Sequence, residues 1–285
     1  VPAQTVPLVV LASAVLHAVW NALAHGVRDK LAGFALMNTA FLGCGAALAC
    51  LTPVPDPAAW PYIAASAALQ VGYQLLLLQA YRLGDFGQMY PIARGTSPLV
   101  VALLAATVLG PGLPAARLAG VLVISLGLAG LALAGGLPGR AQLPALAAAV
   151  GTGVMIAGYT VVDGTGVRAS GAPSGYIAWM FLTQGAAMLA VATALRGRAL
   201  AGQLRTGWRS GLAGGLMSLT AYGLVVWAQA QPGSDLATVA ALRETSIVIA
   251  AIIGALVLHE GLGRIRLAAS ATVLAGIAVL ELTHG

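Results

Sequence analysis

Tyr90-Pro91-Ile92-Ala93-Arg94-Gly95-Thr96-Ser97-Pro98 returns 149 residues later as Val239-Ala240-Ala241-Leu242-Arg243-Glu244-Thr245-Ser246-Ile247. Both segments lie in apolar runs. Ala and Leu coincide often in such sequence, but a paired arginine followed by Thr-Ser does not. The correspondence spreads outward at the same offset: Tyr73 falls on Tyr222, Gly84 on Gly233, Gly112-Leu113 on Gly261-Leu262, Arg117 on Arg266 and Gly127 on Gly276. Eighteen of the 59 ungapped positions between 73 and 131 are identical, so the chain is a duplication.

The halves are built for lipid. The chain is 59% hydrophobic and 8% charged, against about 25% charged in a soluble domain. A helix needs roughly 20 apolar residues to cross the hydrocarbon. Ten such stretches are present, near 6–25, 31–51, 58–81, 87–109, 114–135, 142–162, 174–195, 208–230, 235–258 and 264–283. They are continuously apolar, without the alternation of a β-barrel strand. The predicted fold is an all-α integral membrane protein. Five helices per half is an odd number, so the second half enters from the opposite face, giving two inverted five-helix repeats, residues 1–138 and 139–285. The join is the stretch Gly135-Gly136-Leu137-Pro138-Gly139-Arg140.

Charge placement suggests an orientation. Arg28, Lys30, Arg82, Arg140, Arg196, Arg198, Arg205, Arg209, Arg264 and Arg266 fall on one side, with Arg117 and Arg168 on the other. The positive-inside rule then puts both termini outside the cytoplasm. The net charge of +6 follows from these loops and implies no nucleic-acid partner. The chain begins at Val1, which points to a trimmed start. Ala12-Ser13-Ala14 resembles a signal cleavage site, but no basic segment precedes it and the apolar run continues to Asn21.

Catalytic and metal signals are lacking in the sequence. Neither HExxH nor GxSxG occurs, and Cys44 and Cys50 lie on different faces of one helix. No enzyme activity, metal or cofactor is expected. The partners expected are the bilayer and a small-molecule substrate, and a chain that carries its own pseudo-dimer is expected to work as a monomer. Gly120 and Gly127 mark a close-packed seam, either within the bundle or between copies.

Polar groups at membrane depth are costly and mark pathways, cavities or pairs. Tyr90, Arg94 and Ser97 share a face at i, i+4, i+7 spacing, and Arg243 and Ser246 share the matching one. Glu244 points about 100° from Arg243 and is better placed to meet Arg94. Three readings stand: a structural Arg94–Glu244 lock, a substrate carboxylate held by either arginine, or snorkelling. Pro91 and Pro98 flank Arg94 and free backbone carbonyls on the fourth helix, whereas the ninth helix lacks matching prolines. His17, Trp20 and Asn21 cluster with Ser13 on the first helix. Tyr73 and Gln74 lie on the third, Tyr159 and Thr160 on the sixth, and Tyr222 on the eighth. Aromatic and amide side chains of this kind suit a small zwitterion with an apolar side chain. Trp179 and Tyr81 equally suit an interfacial belt. For coupling or gating the candidates are Glu244, Asp163 (placed at a helix end), Pro91 and Pro98. An arginine lock would make Glu244 a poor proton carrier, which keeps facilitated diffusion open beside proton coupling.

These motifs, in this order, resemble the EamA-type drug/metabolite transporter superfamily. The carrying segments are His17-Ala18-Val19-Trp20-Asn21, Tyr90 to Pro98, Tyr159-Thr160-Val161-Val162-Asp163-Gly164, Leu242 to Ser246 and Leu258-His259-Glu260. The resemblance covers nearly the whole chain and implies ten helices and alternating access. It also implies export of small metabolites, with the YddG-type amino-acid exporters as the neighbouring branch, from a bacterial inner membrane. Neutral or aromatic amino acids are the substrates so implied; cationic drugs, sugars or nucleotide-type metabolites are the alternative, and a channel or sensor a further one. Family repeats usually carry a Gly-Glu pair after the fourth-helix segment. Here the second half keeps Glu260 and the first has Pro111, which argues against a coupled role for two glutamates.

Overall fold

Lipid offers no partner for backbone N–H and C=O groups, so apolar runs of this length satisfy themselves as helices. The computed structural model describes residues 5–24, 29–84, 86–108, 114–133, 139–249, 252 and 264–282, and among them it contains helices and no strand. They are α1 (Thr5–Ala24), α2 (Lys30–Leu51), α3 (Trp60–Leu83), α4 (Phe86–Val108), α5 (Ala115–Leu133), α6 (Leu143–Ala169), α7 (Pro173–Arg196), α8 (Ala199–Thr206), α9 (Trp208–Gln229), α10 (Leu236–Arg243) and α11 (Arg264–Leu282). Among the described residues, Lys30–Leu51, Pro57–Leu83, Arg140–Ala169, Pro173–Arg196 and Trp208–Gln229 are long and apolar enough to cross a membrane. Thr5–Trp20, Leu118–Leu131 and Leu267–Val279 are shorter apolar helices.

Local chemistry sets several boundaries. Asp29 caps α2 by accepting from the Ala32 N–H at 3.2 Å, and Asp235 caps α10 by accepting from the Thr238 N–H at 2.9 Å. Pro173 opens α7, where its missing N–H costs nothing. Gly197 closes the same helix at φ 55°, a conformation that favours glycine.

Two elements depart from the sequence expectation. The apolar count ends the sixth helix near 162, but α6 continues to Ala169 and places Asp163 well inside it. The polar run Asp163-Gly164-Thr165-Gly166 reads as a loop only while its partners are unknown. The short helix α8, between α7 and α9, follows no long apolar run. Pro91 and Pro98 lie inside α4, which is a helix throughout Phe86–Val108. The segment 236–249 tightens at Glu244, which keeps right-handed helical angles, φ −70° and ψ −12°. There the Glu244 N–H donates to the Ala241 carbonyl and the Ile247 N–H to the Glu244 carbonyl, both at 3.0 Å.

The chain forms two compact units, residues 1–71 with 162–232 and residues 72–161 with 233–285. Each draws on both sequence halves, and of the three divisions two fall inside α3 and α6 and one between α9 and α10. In the first unit α2 packs on α7 through glycines. A Cβ on Gly45 would stand 2.5 Å from the Leu182 nitrogen, and one on Gly185 would stand 2.6 Å from the Leu42 nitrogen. Small residues allow this approach where lipid supplies no hydrophobic drive for association. The Ser13 hydroxyl ties α1 to α9 by donating to the Ala221 carbonyl at 2.6 Å. Phe41, Ile63, Tyr176, Met180 and Phe181 fill the core of this unit.

The second unit contains a reciprocal contact. A Cβ on Gly127 of α5 would meet Ala269 and Val273 of α11, and one on Gly276 of α11 would meet Gly120 and Ile124 of α5. At the 149-residue offset Gly127 corresponds to Gly276, Gly120 to Ala269 and Ile124 to Val273. The seam marked by Gly120 and Gly127 is therefore covered within the chain.

Candidate functional site

The nominated residues gather in two groups, one in each unit. In the second unit Arg94 comes from α4, Arg243 and Glu244 from the end of α10, and Tyr159 from α6. The Arg94 Nε lies 2.9 Å from Glu244 Oε2, and both side chains are almost fully buried. The Arg94 Nη2 reaches Ser246 Oγ at 3.4 Å. The tightened turn thus falls at the residue whose carboxylate meets the α4 arginine. Arg243 turns elsewhere: its Nη2 donates to the Tyr159 hydroxyl at 3.2 Å. The repeat explains the asymmetry. The position equivalent to Glu244 in the first half is Gly95, which has no carboxylate and packs against Leu128.

Tyr73 stands edge-on to Tyr159, ring centroids 5.8 Å apart. Gln74 is buried, and Tyr90 is half-buried against the core formed by α4, α5, α6, α10 and α11. Pro91 and Pro98 are buried within α4. The burial of both arginines and their polar partners on other helices speak against snorkelling. A lock and a substrate contact remain compatible, because Arg94 and Arg243 hold different partners.

The first unit holds the second group. Asp163 is completely buried and accepts hydrogen bonds from Tyr176 at 2.9 Å and Tyr222 at 2.6 Å. Ser66 of α3 supplies a further side-chain hydrogen bond, while its oxygen accepts from Gln70 Nε2 at 3.4 Å. Gly166, one turn along α6, opens the approach, since a Cβ there would stand 2.6 Å from the Tyr176 hydroxyl. The repeat-related tyrosines thus meet different α6 residues, Tyr73 packing on Tyr159 and Tyr222 bonding Asp163.

On α1 the Trp20 Nε1 donates to His17 Nδ1 at 3.4 Å, and Trp20 packs on the core of the first unit. Trp179 lies edge-on to Trp60 at 4.9 Å between centroids, and Tyr81 packs beside Ala80, Met89 and Ala93. The Asn21 side chain, Arg28, Asp85, Pro111, Gly135 to Pro138, His259 and Glu260 lie outside the described residues. Sequence reasoning missed Ser66 and Tyr176. Their signal was the small-residue run around Gly166, which looks like a loop until a neighbour's ring occupies it.

Two buried arginines and a carboxylate among hydroxyls thus lie inside apolar helices. Residues 143–282 match the EamA-like transporter family. The EamA-like segment spans α6 to α11, including Asp163, Arg243 and Glu244, and supports membership of the drug/metabolite transporter superfamily. The EamA-like match and the long apolar helices support a multi-pass membrane protein, and members of that family are transporters. A solved structure described only as "Crystal structure of protein" is 20% identical, covers 98% of this chain and 96% of its own, and has a TM-score of 0.75. At that identity the likeness speaks for the fold alone. Among curated proteins nothing matches the chain.

Proposed function

We propose that the chain is a secondary exporter of small metabolites, neutral or aromatic amino acids first among them. It works by alternating access across a bacterial inner membrane, as a monomer and without a cofactor. Its ten helices form two inverted five-helix repeats, residues 1–138 and 139–285. The reciprocal α5–α11 glycine contacts and the 149-residue offset support that architecture.

The observation that carries the reading is the buried Arg94, Glu244, Arg243 and Tyr159 group. Ionisable groups at membrane depth mark solute pathways by default. Arg243 and Tyr159 offer a cation and a hydroxyl for a substrate carboxylate. Tyr73, Tyr90 and Gln74 belong to the same unit and suit a zwitterion with an apolar side chain. In the other unit His17, Trp20, Asn21 and Tyr222 are the further candidates, and Pro91 and Pro98 are proposed to shape α4 for gating.

The test is counterflow in proteoliposomes: purified protein, vesicles loaded with one unlabelled amino acid, and labelled amino acids outside. Uptake above empty vesicles, lost in Arg243→Ala, supports the assignment. Folded protein that exchanges no amino acid removes that substrate class and moves the search to cationic drugs, sugars and nucleotide-type metabolites.

A further inference from the structure

We propose that the connection between α7 and α9, built on the short helix α8, binds the headgroup of an anionic phospholipid. The proposal needs the chain to sit in a bilayer and does not depend on which solute it carries.

Charge is one-sided along this part of the chain. From Gly164 to Ser234 the sequence holds Arg168, Arg196, Arg198, Arg205 and Arg209 and no carboxylate side chain. All but Arg168 fall in or beside α8. Both α7 and α9 are long and apolar enough to cross a membrane, so their connection lies where hydrocarbon gives way to headgroups. The helix turns one face inward: Leu200 is buried, and Gln203 and Leu204 are half-buried. Arg198 and Arg205 lie about 160° and 140° around the helix from Leu200. Both are exposed.

Asp29, at the start of α2, pins α8 in place. Its carboxylate pairs with Arg196 at 2.9 Å and accepts from Gln203 Nε2 at 3.3 Å. Among the described residues, no carboxylate pairs with Arg198, Arg205 or Arg209. Arg209 instead lies over the Trp208 ring, with its guanidinium carbon 5.4 Å from the centroid, a cation–π contact that keeps the charge at the surface. Guanidinium groups fixed in this way, with no acid to answer them, suit phosphate oxygens, which arginine engages through paired hydrogen bonds.

The apolar neighbours select a lipid over a free anion. Leu195 at the end of α7, Trp208 at the start of α9 and Leu216 farther along α9 are all exposed. A soluble anion makes no use of them. A phospholipid sets its phosphate at the arginines and its acyl chains along the leucines, with the indole at the boundary that tryptophan favours. Basic clusters beside a membrane span bind anionic headgroups on this basis.

Tryptophan quenching in bilayers tests the site. The full chain is placed in phosphatidylcholine containing a brominated lipid, either phosphatidylglycerol or phosphatidylcholine, at equal mole fraction. The fluorescence that disappears in Trp208→Phe reports this position. In wild type it should be quenched more strongly by brominated phosphatidylglycerol. The combined variant Arg198→Gln, Arg205→Gln and Arg209→Gln should lose the preference, each arginine near an anionic surface accounting for about fivefold in association. Equal quenching by the two lipids in wild type, or a preference that survives in the combined variant, would overturn the proposal. A preference displaced by inorganic phosphate at constant ionic strength would show a free-anion site and overturn the lipid assignment.

Thermal unfolding in detergent gives a second reading, because a ligand of the folded state stabilises it. Added phosphatidylglycerol should raise the midpoint of wild type more than that of the combined variant. Equal rises would count against the site. Neither reading involves transport, so both stand or fall apart from the exporter assignment.

Discussion

Arg94 and Glu244, 150 residues apart in the chain, form a buried ion pair at 2.9 Å, and the glutamate sits at the tightened turn that closes α10. Neither residue pairs with its own repeat counterpart. The duplicated arginines have consequently diverged, with Arg94 in a charge pair and Arg243 on a tyrosine hydroxyl.

Removing one partner of such a pair leaves a buried charge uncompensated, at a cost of about 3–5 kcal/mol. Glu244→Gln should lower the thermal midpoint of the purified protein clearly, while the double variant Arg94→Met with Glu244→Leu should recover most of the loss. A single variant as stable as wild type would show that the pair holds nothing in place.

Tyr159→Phe deletes one hydroxyl and leaves its ring against Tyr73. A hydrogen bond to a charged group contributes about 1.5–3 kcal/mol, so substrate affinity should fall by about tenfold or more if Arg243 and Tyr159 act together on a carboxylate. Counterflow KM measures it. An unchanged KM would place both residues outside the substrate contact.

The α5–α11 seam allows a paired test. Gly127→Ala and Gly276→Ala each drive a Cβ toward backbone of the facing helix, to 3.0 Å from the Ala269 carbonyl and 2.8 Å from the Gly120 carbonyl. Overpacking of this kind costs about 1–3 kcal/mol, and the two losses should be alike. Gly43→Ala, with nothing within 4 Å of the added methyl, should be neutral or slightly stabilising. Thermal unfolding in detergent ranks the three; a tolerated Gly276→Ala would mean that the seam gives way readily.

Asp29 separates a cap from a surface ion pair. Its carboxylate caps α2, accepts from Gln203 at 3.3 Å and pairs with Arg196 at 2.9 Å, both charges being about one-third exposed. An exposed pair contributes about 0–1 kcal/mol, while a lost N-cap costs about 1 kcal/mol. Asp29→Ala should therefore destabilise more than Arg196→Ala. The reverse order in a denaturation series would contradict the cap.

How much of this was legible beforehand follows from what lipid selects. Apolar runs record contact with hydrocarbon whatever the neighbouring helix is, so the placement of helices and the duplication were open to reading from the chain. Arg94 meeting Glu244 was also within reach, because face geometry turns Glu244 away from Arg243. Asp163 was not. Its run of Asp and Gly has the composition of a loop, and it continues as helix because Ser66, Tyr176 and Tyr222, from three other helices, converge on the carboxylate. Amino-acid sequence by itself determined that this protein is a duplicated membrane bundle with rare polar groups in each half. Only tertiary structure decided which of them face one another, since a buried charge is stabilised by whichever donors surround it, and those come from helices that are distant in the chain.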